Sequence, residues 1–226
     1  DTGVDAQSAV VLKYPDKKMA PWDEIGFDFK EIYVVDGITH IGAYAFYEQK
    51  VLEEFQMPMS VVSIGEKAFY KCSSLKGINL SRVGVIGNNA FDGCEQLEYG
   101  HIGTMYDGAI TIGAKAFNSA KSNGEIVIGG DYRKAENRNG TVSTVKSIGE
   151  SAFAYCAGIT TLTISEGVTS IGSGAFNGCG SLQKVTISGT VTSIGPNVFD
   201  GCPHLVINGL YSSAAEKYAR ENSFGP

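Results

Sequence analysis

Residues 159–179 read Ile159-Thr160-Thr161-Leu162-Thr163-Ile164-Ser165-Glu166-Gly167-Val168-Thr169-Ser170-Ile171-Gly172-Ser173-Gly174-Ala175-Phe176-Asn177-Gly178-Cys179. The alternation of Leu162 and Ile164 with threonines is that of a strand with one buried face. Val168 to Ile171 makes a second, shorter extended piece. Ala175, Phe176 and Cys179 have helical spacing, but one or two turns are too few to persist alone. One unit is therefore expected to run strand, turn, short strand, helical turn.

Working outward, Ile-Gly followed three residues later by Ala-Phe or Val-Phe recurs seven times, at Ile41, Ile64, Ile86, Ile112, Ile148, Ile171 and Ile194, with spacings of 23, 22, 26, 36, 23 and 23 residues. A period of 20 to 29 residues is that of leucine-rich repeats, whose units bury their apolar faces only by stacking on one another. Seven of the eleven phenylalanines hold one repeat position, Phe46, Phe69, Phe91, Phe117, Phe153, Phe176 and Phe199, and are expected to form one continuous ladder. The glycine after each repeat isoleucine, from Gly42 to Gly195, points to positive φ or to a close backbone approach.

Composition bounds the function. Hydrophobic residues make up 43% and charged residues 19% of the 226, as in a folded protein. Eighteen basic against twenty-four acidic residues, net −6, with no Lys/Arg block, exclude a phosphate-tracking surface, so no nucleic-acid partner is expected. No apolar run approaches the ~20 residues that cross a bilayer, so no membrane insertion is expected within this chain.

The string Val-Thr-Ser-Ile-Gly-x-x-Ala-Phe-x-Gly-Cys-x-x-Leu, nearly intact at Val168 to Leu182, closely resembles the BspA-type leucine-rich repeats of bacterial surface proteins, over residues 22–222. The resemblance implies an α/β repeat fold, a curved right-handed leucine-rich-repeat solenoid of about seven repeats with a parallel concave β-sheet. It also implies export, an extracellular or cell-surface location, and a role in adhesion or protein binding. On this reading the chain is a single leucine-rich-repeat domain: 1–28 an N-terminal segment and cap, 29–207 the repeats, 208–226 a C-terminal capping helix. Ala20-Pro21-Trp22 looks like the family's N-terminal cover. Ser212 to Asn222 reads as an amphipathic helix with Ser213 and Glu216 at capping-box spacing, turning Ala215, Tyr218 and Ala219 to the last repeat. Departures fall at Gln49 and Ala120, which replace the repeat cysteine, and at Asn123, which stands where a buried leucine belongs. A parallel β-helix is the nearest competing architecture, and the helical Ala-Phe-x-x-Cys turn argues against it.

Cys72, Cys94, Cys156, Cys179 and Cys202 lie eight residues after the repeat isoleucine. Their odd number, and Ala120 in the same slot, suggest free core thiols rather than disulfides, and no paired Cys-x-x-Cys suggests zinc. His40, His101 and His204 have no metal-ligand spacing, so neither metal nor cofactor is expected. No nucleophile elbow or phosphate loop is present, and the chain reads as a non-enzyme. The one catalytic arrangement to weigh is Glu31 beside Glu54 on adjacent strands, near the ~5–5.5 Å carboxyl separation of retaining glycosidases; two solvated carboxylates are the plainer account.

The third and fifth positions of each main strand are expected to point outward. They give candidate ligand-binding residues Tyr33, Glu54, Gln56, Asn79, Tyr99, His101 and Glu125. Both long units gain their extra residues between main and second strand, so insertions share one rim. The longest, 129–144, adds candidates Asp131, Tyr132 and Arg133, with the charged and aromatic content of protein recognition; a tolerated surface insertion is the alternative. The expected function is an exported, surface-associated binding or adhesion module that recognises a protein or glycan ligand through the concave face and rim loop. A passive structural or spacer region of a larger cell-surface protein is the alternative, and a glycan-acting enzyme ranks third.

Overall fold

A computed structural model describes residues 29–103, 111–122, 124–129, 147–166 and 168–224. Two rows of parallel strands alternate along the chain. The main row holds β1 (Glu31–Tyr33), β3 (Glu54–Gln56), β6 (His101–Ile102), β8 (Gly124–Ile128), β10 (Ile159–Ile164), β12 (Lys184–Ile187) and β14 (Val206–Asn208). The second row holds β2 (His40–Ile41), β4 (Ser63–Ile64), β5 (Val85–Ile86), β7 (Thr111–Ile112), β9 (Ser147–Ile148), β11 (Ser170–Ile171) and β13 (Ser193–Ile194). Neighbouring strands of a row pair in parallel, one coil to the next, as in Thr161↔Lys184 and Ile171↔Ile194, except between β3 and β6. The second row is one seven-stranded sheet, while the main row divides into β1–β3 and a five-stranded sheet from β14 to β6. Single bridges, Glu54↔Gly77 and Gly77↔Glu98, carry the pairing across that gap. The chain is a parallel β-solenoid of about seven turns.

The third side of each coil departs from the sequence reading. Ala45, Tyr47 and Gln49 donate their N–H groups to the carbonyls three residues back, of Gly42, Tyr44 and Phe46. The intervening amides leave the coil: Tyr44, Phe46 and Glu48 donate to Glu66, Ala68 and Tyr70 of the next. This is a run of turns hydrogen-bonded between coils, and the short helical turns of an α/β repeat are not found there. Tyr44 and Glu48, with φ of 58° and 55°, take the left-handed conformation at fixed places in the run, which a helix cannot accommodate. The helical argument against a β-helix therefore does not hold, because this side too is built from ladders between coils.

The phenylalanine ladder is present. Successive rings from Phe46 to Phe199 stack 5.0 to 5.7 Å apart. The five from Phe69 to Phe176, with Phe199, are wholly buried. Repeat glycines serve by close approach: a Cβ on Gly65, Gly87, Gly113, Gly149, Gly172 or Gly195 would lie 2.4 to 2.7 Å from backbone of the preceding coil. At the far end, helix α1 (Ala214–Glu221) is capped by Ser213, whose Oγ accepts from the Glu216 N–H at 3.2 Å. Its Ala215, Tyr218 and Ala219 are buried, as the sequence suggested. The expected N-terminal cover, Ala20 to Trp22, and Asn123 lie outside the described residues.

Candidate binding face

Strand alternation sets the candidate face. In the first main strands Ile32 and Phe55 turn inward, so Glu31, Tyr33, Glu54 and Gln56 turn outward and are exposed. The parallel register puts Glu31 beside Glu54 and Tyr33 beside Gln56, and Glu54 beside Gly77 brings Asn79 into line with Gln56. Asn79, His101 and Glu125 are also exposed. Six of the candidates from the strand register thus share one surface. Asp131, Tyr132 and Arg133, with most of the 129–144 insertion, lie outside the described residues.

Tyr99 is a correction. It is 6% exposed, with its ring 4.5 Å from that of Phe117 and its hydroxyl 3.5 Å from Cys156 Sγ. Gly100 explains the inversion, because it occupies the slot that Ile126 fills in the next strand and offers no side chain to the core. Ala120 also leaves the cysteine slot short beneath it. The backbone bulges: Glu98 pairs with Gly77, yet Gly103 N–H reaches Leu80 O, so one extra residue is accommodated between them. Tyr99 swings into the vacancy, and Glu98 takes the outward place.

The sequence reading also missed a charge ladder beside this face. The position after each strand-opening apolar residue carries Lys30, Glu53, Lys76, Glu98 and Lys121, alternating in sign coil by coil. Lys30 to Glu53 is 3.7 Å, Lys76 to Glu53 2.5 Å and Lys121 to Glu98 3.3 Å. Bonded to Lys76, the Glu53 carboxyl is held below its usual range, and Lys76 is held up. The alternation was readable by aligning that single column. On the outer side of the main strands, Val35 and Met59 add exposed apolar surface.

Glu31 and Glu54 are exposed neighbours, and Glu31 accepts from the Tyr33 hydroxyl at 3.2 Å. That bond, with the charge of Glu31, raises the Tyr33 phenol. The two carboxylates lie on an open strand row rather than in an enclosed pocket of the kind that tunes a general acid. The five cysteines are free and buried. Each thiol donates to the phenylalanine carbonyl of the preceding coil, Cys72 to Phe46, Cys94 to Phe69 and Cys156 to Phe117 at 3.0 Å, Cys179 to Phe153 at 3.2 Å and Cys202 to Phe176 at 3.5 Å. Burial pushes every one of them up, Cys72 and Cys156 to about 12 and Cys202 to about 11. Among the described residues no group of three His, Cys, Asp or Glu side chains is arranged to hold a metal ion. Among them, too, no helix is long and apolar enough to cross a membrane.

No curated protein matches the sequence. A leucine-rich cell surface protein of Faecalibacterium prausnitzii is 21% identical with a TM-score of 0.39, covering 87% of this chain, which spans only 62% of that protein. The leucine-rich repeat protein of T. pallidum is 23% identical with a TM-score of 0.48, covering 86% of this chain and 84% of its own. A leucine-rich repeat protein of Eubacterium ventriosum is 18% identical with a TM-score of 0.38, covering 89% of this chain and 65% of its own. The BspA type leucine rich repeat region, in six copies, matches residues 26–139 and 137–224. With its period, its stacked phenylalanines and this match over most of its length, the chain belongs to the BspA-type leucine-rich repeat family.

Proposed function

We propose that the chain is a surface-associated binding module that holds a protein or glycan ligand on the outward face of the main strand row. The observation that carries this reading is the exposed line Tyr33, Gln56, Asn79 and His101, one polar or aromatic side chain per coil on adjacent strands. Its backbone is held by hydrogen bonds between coils, so the spacing of these side chains is set before binding, which lowers the ordering cost of association. Export and adhesion, which the family resemblance implies, fit a module of this kind. The rim insertion with Asp131, Tyr132 and Arg133 is proposed as a second contact beside the face.

The test is an array of immobilised glycans and purified extracellular-matrix and mucin proteins, probed with the chain and with a Gln56→Ser/Asn79→Ser/His101→Ser variant of equal melting temperature. Binding by the parent that drops at least about tenfold in the variant is expected, since removing central polar contacts costs on that order. Undiminished binding by the variant disproves the face, and a parent that binds nothing on the array favours a passive spacer.

A further inference from the structure

Within the face just proposed, the first two coils differ from the rest. Tyr33, Val35 and Met59 are 62%, 59% and 45% exposed, three of the nine exposed large hydrophobics among the described residues. Tyr33 pairs with Gln56 and Val34 N–H binds Gln56 O, so Val35 and Met59 follow the ends of two neighbouring strands, two and three residues beyond that pair. Met59 in turn lies against the Asn79 amide at 3.9 Å. Around this apolar surface the exposed charges have one sign, Glu31, Glu54 and Asp36, and neither 31–36 nor 54–59 contains a lysine or arginine. Lys30 and Lys76 are bound to Glu53 in the flanking ladder, and in the next coil Arg82 is half-buried. Like charges directly opposite on neighbouring strands oppose sheet formation, and Glu31 and Glu54 stand so.

Resting on the reading above, we infer that Tyr33, Val35 and Met59 form the apolar centre of a docking site for a polypeptide that presents an apolar side chain between basic ones. Charge complementarity selects this occupant: the carboxylates attract lysine or arginine and repel an anionic lipid surface. The centre selects protein over glycan, because aliphatic Val35 offers a sugar hydroxyl no hydrogen bond and the Met59 thioether only a weak one. An aromatic and a methionine inside a polar rim is the composition of a protein-contact centre.

The probe is a blocked peptide with one leucine between two lysines, titrated into the full chain while backbone amide resonances are followed. Shifts confined to 31–36, 54–59 and Asn79 are expected. They weaken at least about tenfold in Glu31→Lys/Glu54→Lys and in Val35→Ser/Met59→Ser, and when glutamate replaces the peptide lysines. The same spectra report whether each variant is folded, and these side chains are exposed. Shifts elsewhere, no shifts at the peptide's solubility limit, or an equal response to the acidic peptide overturns the inference. Overturned alongside a loss of array binding in the Gln56/Asn79/His101 variant, it leaves the wider face standing; retained array binding there removes the face itself.

Discussion

At the scale of single residues, two glycines separate structural need from free surface. A methyl on Gly149 would meet Ala114 N at 2.6 Å, whereas one on Gly77 would find nothing nearer than 3.9 Å. Gly149→Ala is expected to cost about 2–3 kcal/mol through overpacking against backbone that cannot yield. Gly77→Ala should stay within about 0.5 kcal/mol, and urea midpoints measured side by side decide the matter. In the phenylalanine column, Phe153→Ala should lose about 3–5 kcal/mol, because stacked rings on both sides hold open the cavity it leaves; an unchanged melting temperature would refute that placement. These residues were legible in the sequence because they repeat. Tyr99 was not, since its inward turn follows from Gly100 and Ala120 together, and a strict two-residue alternation read it as outward.

At the scale of elements, the strands followed from hydrophobic alternation and the capping helix from Ser213 and Glu216. Ser213→Ala should cost about 1 kcal/mol by releasing the Glu216 N–H, with loss of protection from hydrogen exchange confined first to 214–221. The turn row was misread because Ala, Phe and Cys at that spacing suit a helix and a run of turns equally. One signal did distinguish them. Glu48 is matched in later coils by Gly93, Gly178 and Gly201, all with positive φ, and glycine recurring at one fixed place marks left-handed backbone. The outward face was legible as a pattern of exposed positions, but its occupant was not, since no repeat rule constrains side chains outside the packed interior.

At the scale of the whole molecule, the thiol column links stability to pH. A thiol whose folded pKa is raised contributes stability in full below its unfolded value, about 8.5, and loses it as pH climbs toward the folded value. For Cys72, Cys156 and Cys202 the folded values are about 12, 12 and 11, so the loss begins above about pH 8.5. Each thiol can contribute a slope of up to about 1.4 kcal/mol per pH unit there. Urea titrations between about pH 8 and 9, where few tyrosines ionise, should show a falling midpoint. A variant with alanine at all five cysteines, the residue that already fills the slot at position 120, should flatten the decline. The glycine contacts carry a further consequence, for descent rather than for stability. Since each repeat glycine is fitted to the backbone of the coil before it, such an array can be lengthened or trimmed in evolution by duplicating or excising one full period of the gene. A frame-preserving slip of one codon inside a coil would instead drive a side chain into its neighbour's main chain.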